Sequence, residues 1–123
     1  MSSTYKVEAE EEVVRWLNEL DHDSFVLHGA RLDKLEEEGE ALDDAYYTII
    51  EGKSPTMPKA GELRKLILYD EQQENLGISY FISADHRIFL LTVVRPKPTT
   101  FAVERDRAVS AWKRVAEVEG YMT

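Results

Sequence analysis

The chain has 123 residues, of which 43% are hydrophobic and 32% charged, with a formal net charge of −9. This balance predicts one soluble globular domain over residues 1–123 and argues against a disordered chain. No apolar run approaches the roughly 20 residues of a membrane-spanning helix, and no signal-peptide core follows Met1, so a cytoplasmic protein without a membrane partner is expected. The absence of cysteine excludes disulfides, thiolate metal sites and a cysteine nucleophile.

The negative charge is concentrated in the first third of the chain. Residues 1–44 carry 14 acidic and 4 basic side chains, whereas residues 45–123 carry 10 acidic and 11 basic ones. The overall charge would argue against a nucleic-acid partner, but the excess of acidic residues is confined to the N-terminal part. The acidic triplets at residues 10–12 and 36–38 are interpreted as solvated helix faces.

The N-terminal part is predicted to be a helical hairpin preceded by a possible short strand at residues 4–7. A first helix is expected over about residues 9–20 and a second over about residues 24–38. Asp23 or Ser24 is expected to cap the second helix, and Gly39 to end it. Apolar residues and one histidine at helical spacing define the buried stripes: Val13, Trp16, Leu17 and Leu20 in the first helix, and Phe25, His28, Leu32 and Leu35 in the second.

The middle of the chain contains an ambiguous segment and a loop. Residues 42–50 are apolar enough for either a short helix or an extended segment. Residues 52–61 are predicted to be a loop, because they contain two prolines and two glycines. This loop carries Lys53 and Lys59 and no acidic residue.

A three-stranded meander is predicted over residues 62–95. Its first strand covers about residues 62–69, and its second alternates between a face with Ile78 and Tyr80 and a face with Ser79 and Phe81. The third strand, residues 87–95, is apolar on both faces and is expected to be central. We expect Ile88, Leu90 and Val94 on one of its faces and Phe89, Leu91 and Val93 on the other.

The chain is predicted to end in an amphipathic helix. Thr99 or Thr100 is expected to cap it. Four residues form its buried stripe: Ala108, Ala111, Trp112 and Val115. The predicted fold class is α+β, with the helical hairpin packed on a small antiparallel sheet and a C-terminal helix.

This layout resembles the RelE/ParE superfamily, and within it the HigB-like (phage Gp49-like) toxins. The resemblance rests on Glu62-Leu63-Arg64, on Arg95-Pro96-Lys97 leading into residues 98–108, and on four further segments: residues 13–20, 32–39, 78–81 and 87–91. It implies a RelE-like fold and a toxin of a type II toxin–antitoxin pair. Such a toxin binds a cognate antitoxin, and on the ribosome it cuts mRNA without a metal or other cofactor.

The resemblance also implies the site residues. Arg64, Arg95 and Lys97 match the basic residues expected to stabilise charge during attack of the ribose 2′-hydroxyl on the adjacent phosphate. Five residues are the candidate substrate contacts: Lys53, Lys59, Lys65, Tyr80 and His86. The three histidines have no metal-ligand spacing, so no metal site is expected.

Two positions depart from the family pattern. Gly77 stands where many members have an arginine at the start of the middle strand, and Phe101 stands where an acid or base is expected near the start of the last helix. A second hypothesis therefore stays open: a non-catalytic interaction module on the same scaffold, either a degenerate toxin or a ParE-like protein that binds DNA gyrase.

Overall fold

The computed structural model describes residues 5–51, 62–68, 76–83, 85–95 and 100–120. Over these residues the chain forms a five-stranded sheet covered by helices on both faces, which confirms the predicted α+β class. In chain order the elements are β1 (Lys6–Ala9), α1 (Glu11–Asn18), α2 (His22–Glu38), β2 (Tyr47–Glu51), β3 (Leu63–Ile67), β4 (Gly77–Ile82), β5 (Arg87–Val94) and α3 (Phe101–Glu119).

The strand order across the sheet is β1-β5-β4-β3-β2. Strands β3, β4 and β5 form the predicted antiparallel meander, and β2 adds an antiparallel strand at one edge. Strand β1 lies at the other edge and runs parallel to β5, with Lys6 opposite Arg87. The prediction of an antiparallel sheet was therefore wrong, because the sheet is mixed. No tight turn joins β1 to β5, so no hairpin forces the two strands to run in opposite directions.

The ambiguous segment at residues 42–50 contains both structures that were considered. A short 3-10 turn, Asp44–Tyr46, begins after Asp43, whose carboxylate accepts a hydrogen bond of 2.8 Å from the Ala45 amide. The chain then extends into β2, which pairs with β3 from Tyr47 opposite Leu66 onward. The β-branched residues of β2 suit this extended conformation.

The helical hairpin differs from the prediction at its caps and on one face. The carboxylate of Asp21, and not that of Asp23 or the hydroxyl of Ser24, caps α2 by accepting a 2.8 Å hydrogen bond from the Ser24 amide. Phe25 is 50% exposed and does not join the predicted stripe, whereas His28 and Leu35 are buried as expected.

The second helix ends at Gly39, as predicted. Its φ of +50° is unfavourable for other residues, and the ring of Tyr5 occupies the space that a side chain there would need.

The sheet separates two hydrophobic clusters. We call the side covered by α1 and α2 the hairpin face and the side covered by α3 the α3 face. Side chains on the hairpin face pack with Val13, Leu35 and Leu66, and those on the α3 face pack with Leu63 and Trp112. The ring of Phe81 stacks on that of Trp112 with their centroids 3.9 Å apart. The predicted alternation of β4 is confirmed, since Ile78 and Tyr80 belong to the first cluster and Phe81 to the second.

Strand β5 is buried on both faces, as predicted, but the face assignments of Val93 and Val94 were wrong. Ser79 pairs with Thr92 while Tyr80 pairs with Leu90, so a bulge places Leu91 between two successive pairs. The bulge turns Val93 to the hairpin face, where it packs in the same cluster as Leu90, and turns Val94 to the α3 face beside Phe101. Because every residue around the bulge is apolar or small, the sequence pattern does not indicate where the alternation breaks.

Helix α3 matches its prediction. The hydroxyl of Thr100 accepts a 3.3 Å hydrogen bond from the Val103 amide and caps the helix. The predicted stripe is buried against the sheet: Ala108, Ala111, Trp112 and Val115. In the part of the chain that is described, no helix is long and apolar enough to cross a membrane.

The first acidic triplet is not simply a solvated face. Glu12 binds Arg107 of α3, and Glu10 lies 3.4 Å from Arg114 of the same helix. Only Glu11 matches the expectation, since its side chain is 82% exposed and pairs with Arg15 within α1. The triplet therefore helps to join α1 to α3 at the β5 end of the sheet.

Candidate functional site

An open groove of about 430 Å³ lies on the α3 face, where α3 begins and β5 ends. We call it the α3 groove. Strands β2 and β3 form one side and the first turn of α3 the other. Its lining residues are Thr48, Ile49, Ile50, Lys65, Val94, Arg95, Thr100, Phe101, Glu104 and Arg105.

Three cationic side chains reach this groove from three different elements. Lys65 lies on β3, Arg95 follows β5 directly, and Arg105 is in the second turn of α3. Lys65 lies on the α3 face because Leu63, two residues earlier, packs in the cluster under α3 and alternate residues of a strand share a face. The groove is therefore a concentration of positive charge in a chain of net charge −9.

Burial alters the acid–base properties of Lys65. The side chain is half-buried, and loss of solvent lowers its pKa below the ordinary 10.5 of a lysine. A lysine of this kind keeps a larger neutral fraction than an exposed one, so it can accept a proton as well as bind an anion.

The groove also holds one buried carboxylate. Glu104 is 5% exposed, and its oxygens accept hydrogen bonds of 3.0 and 3.2 Å from the guanidinium of Arg107. Arg107 in turn binds Glu12. The negative charge of Glu104 is thus offset by an arginine that lies outside the lining residues.

Arg64, a predicted catalytic residue, lies on the opposite side of the sheet. Its guanidinium is 2.8 Å from Glu62 and 3.4 Å from Glu40, and lies 4.3 Å from the centre of the Tyr47 ring. Its side chain is only 12% exposed. Burial would lower the pKa of Arg64, but the hydrogen bond to Glu62 and the nearby negative groups raise it overall. Arg64 and Arg95 do not converge on one surface.

Tyr80 and His86, two predicted substrate contacts, are also outside the groove. Tyr80 is fully buried beside Arg64, and burial raises its pKa well above the ordinary 10.0, although the charge of Arg64 opposes this. His86 lies in the β4–β5 turn with φ +64° and stacks on Tyr5 at 4.8 Å. The length of β5 separates His86 from Arg95 by roughly 30 Å.

The remaining predicted residues Lys53, Lys59 and Lys97 lie outside the described residues. Of the predicted set, the structure therefore brings together Lys65 and Arg95. It adds Phe101, Glu104 and Arg105, whose spacing of three and four residues places them on one side of α3. That spacing was present in the sequence and was the signal that could have identified them.

The described residues contain no group of three or more histidine, aspartate or glutamate side chains arranged to hold a metal ion. The groove as described offers ammonium and guanidinium groups, a helix start capped by Thr100, and an aromatic ring, Phe101, that is 65% exposed. Such groups bind a phosphate and an adjoining flat ring.

No family model matches the sequence, and no curated protein matches it. Among solved structures, the free state of E. coli toxin RelE, as a double arginine-to-alanine mutant, superposes with a TM-score of 0.56. The two chains are 16% identical over 92% of this chain and 99% of the RelE chain. The chain therefore has a RelE-like fold.

Proposed function

We propose that this protein is the toxin of a type II toxin–antitoxin pair and cuts mRNA on the ribosome. The observation that carries the proposal is the cationic α3 groove, with Lys65, Arg95 and Arg105, on a RelE-like fold. The segments described above favour the HigB-like branch. A protein with this function acts in the cytoplasm, and its partners are the ribosome, mRNA and a cognate antitoxin.

The groove fits a phosphodiester group with a nucleobase beside it. Guanidinium groups of Arg95 and Arg105 bind phosphate oxygens through paired hydrogen bonds. The exposed ring of Phe101 offers a surface on which a nucleobase stacks. Single-stranded RNA meets both requirements, because its bases are free to leave the stack.

The proposed reaction is an internal transesterification. The 2′-hydroxyl loses its proton as O2′ bonds to phosphorus, and the P–O5′ bond breaks with its electron pair on O5′, which then takes a proton. The products are a 2′,3′-cyclic phosphate and a 5′-hydroxyl. The cations of the groove stabilise the negative charge that develops on the phosphorane oxygens.

Inducible expression in a bacterial host with primer extension on cellular transcripts tests this function. The wild-type chain is expected to stop growth and to produce new 5′ ends within translated mRNA. The variant Lys65→Ala/Arg95→Ala is expected to do neither, whereas Arg15→Ala, an exposed cation on α1, is expected to behave as wild type. Intact transcripts and normal growth with the wild-type chain would refute the proposal.

Binding is tested separately with a 2′-O-methyl RNA oligonucleotide, which lacks the attacking hydroxyl. The logarithm of the binding constant is expected to fall linearly with the logarithm of salt concentration. Each groove cation that contacts phosphate contributes about 0.7 to the slope. Arg95→Ala and Arg105→Ala are therefore each expected to reduce the slope by about that amount, and Arg15→Ala to leave it unchanged.

A second candidate function is a non-catalytic interaction module of the same fold, including a ParE-like protein that binds DNA gyrase. The observation in its favour is that Arg64 is held by two carboxylates on the hairpin face, while Phe101 cannot transfer a proton. Inhibition of gyrase supercoiling by the purified chain, without new mRNA ends in cells, would support this function over the first.

A further inference from the structure

Gly77, at the start of β4, lies directly beneath the side chain of Lys65. A β-carbon at position 77 would be 2.6 Å from Lys65 Cγ and 2.8 Å from Lys65 Cδ. It would also be 2.5 Å from the carbonyl oxygen of Leu66. These separations are shorter than van der Waals contact, so the aliphatic part of Lys65 occupies the space that any side chain at position 77 would take.

The backbone φ of Gly77 does not explain this glycine, but its neighbours do. Gly77 is not among the described residues with positive φ, yet a β-carbon would collide with the backbone carbonyl of Leu66 as well as with the side chain of Lys65. Glycine within a strand lowers stability, because it adds no packing and loses more conformational entropy on folding. The glycine therefore provides room for the Leu66 carbonyl and, on the same face, space for the side chain of Lys65.

The space over Gly77 determines the position of the Lys65 side chain. Lys65 pairs with Ser79 across β3 and β4, and Gly77 is the diagonal neighbour on the same face, toward Arg95 and the α3 groove. A side chain at position 77 would push the lysine away from the sheet and into solvent. Over glycine, the methylene groups of Lys65 lie against the sheet and its ammonium group reaches the groove.

We propose that Gly77 is a positioning residue for Lys65, and that Lys65 is the proton-transfer group of the α3 groove. The arginine that the family pattern places at position 77 is absent, and the cation comes instead from the neighbouring strand through the space that the glycine leaves. This inference rests on the proposed RNA cleavage for its chemistry, but not for its geometry.

The chemical step follows from the position of the amine. The neutral amine of Lys65 takes the proton from the 2′-hydroxyl as O2′ bonds to phosphorus and the P–O5′ bond breaks. Water gives a proton to O5′, and the ammonium group of Lys65 returns its own proton to the solvent. The lysine must lose its proton before each cycle, and the burial over Gly77 favours that loss.

The positioning is tested by NMR titration of the lysine side chains in the wild-type chain and in Gly77→Ala. The pKa of Lys65 is expected to lie below the ordinary 10.5 of a lysine in the wild type, and to move toward that value in Gly77→Ala. A wild-type Lys65 that titrates at the ordinary value would overturn the proposal, and this measurement needs neither RNA nor activity. If Gly77→Ala does not fold, the wild-type titration still tests whether the amine of Lys65 is held in a partly buried position.

The catalytic role is tested with Lys65→Arg, which keeps the charge but does not release a proton in the neutral range. This variant is expected to bind the 2′-O-methyl oligonucleotide within about threefold of wild type. Its cleavage rate is expected to fall by about 100-fold or more, which is the usual contribution of general base catalysis. Cleavage at the wild-type rate would exclude proton transfer by Lys65.

A double-mutant cycle connects the two residues. If Gly77 acts through Lys65, then Gly77→Ala slows cleavage in the wild-type background and has less than about a twofold effect in the Lys65→Ala background. An equal effect in both backgrounds would mean that Gly77 is needed for the structure of the strand and does not act through Lys65. If the wild-type chain cleaves no RNA, the proposed function fails, and the titration alone decides the positioning of Lys65.

Discussion

Nη2 of Arg107, on α3, lies 2.6 Å from each of the two carboxylate oxygens of Glu12, on α1. The same carboxylate accepts a 2.8 Å hydrogen bond from the amide of Val93, in the part of β5 that extends past β1. Arg107 also binds Glu104, which lines the α3 groove. One carboxylate therefore joins both helical layers to the edge of the sheet beside the candidate site.

The first prediction concerns the stability that Glu12 provides. Glu12→Ala is expected to lower the free energy of unfolding by about 2 kcal/mol, because the amide of the buried Val93 and the guanidinium of Arg107 both lose an acceptor. Urea unfolding measures the change. Glu11→Ala, which removes only an exposed pair within α1, is the control and is expected to change stability by less than about 0.5 kcal/mol. Equal effects of the two variants would contradict the structural role of Glu12.

The second prediction concerns Arg64, which holds two carboxylates and covers the Tyr47 ring. Arg64→Ala is expected to lower the free energy of unfolding by about 2–3 kcal/mol, since Glu62 then loses its partner in a mostly buried site. Arg64→Lys is expected to recover part of the loss, because an ammonium group cannot match the geometry of a guanidinium. Arg15→Ala is the control. A fully stable Arg64→Ala that no longer cleaves RNA would instead support the predicted catalytic role of Arg64.

The third prediction concerns alkaline stability and Tyr80. Burial raises the pKa of Tyr80 in the folded chain, so above the ordinary value of 10.0 the unfolded chain loses this proton and the folded chain keeps it. The unfolded state then binds fewer protons, and stability falls as the pH rises, by up to about 1.4 kcal/mol per pH unit. Tyr80→Phe is expected to remove this part of the slope between pH 10 and 11. Identical slopes for wild type and Tyr80→Phe would show that Tyr80 titrates equally in both states.

The fourth prediction concerns Phe101, which is 65% exposed at the mouth of the groove. If a nucleobase stacks on this ring, Phe101→Ala weakens binding of the 2′-O-methyl oligonucleotide about tenfold, within the range measured for base–aromatic stacking. Phe101→Tyr is expected to bind as wild type. Val118→Ala, an exposed position near the other end of α3, is the matched control. All three variants are expected to unfold within about 0.5 kcal/mol of wild type, so an affinity unchanged in Phe101→Ala would exclude stacking there.

The sequence predicted the features that depend on local chemistry. Gly39 and Thr100 end and begin helices where expected, because a helix terminus needs either positive φ or a side-chain acceptor. The alternation of β4 and the stripe of α3 were also predicted correctly, since both follow from a fixed repeat of the backbone. The bulge at Leu91 was not predictable in this way, because β5 is buried on both faces and its pattern fixes no register.

The candidate site was predicted less well, and residues 64 and 65 show why. Neighbouring residues of a strand point to opposite faces, and which face holds the groove depends on where α3 packs. The motif Glu62-Leu63-Arg64 predicted the arginine as the catalytic residue. The structure places Arg64 on the hairpin face, whereas the adjacent Lys65 lines the groove. The spacing of Phe101, Glu104 and Arg105 indicated a shared side of a helix, but only the tertiary structure shows that this side faces Lys65.

The parallel pairing of β1 with β5 has a consequence for how the chain folds. Residues 6–9 meet residues 87–90, so the first strand finds its neighbour only after most of the chain has been synthesised. Strand β5 also contributes to both hydrophobic clusters, and neither cluster is complete without it. Contacts between such distant segments slow folding, because a long loop must close before they form. The helical hairpin is therefore expected to leave the ribosome with its apolar stripe uncovered, and to gain its stability in a late step when β5 arrives.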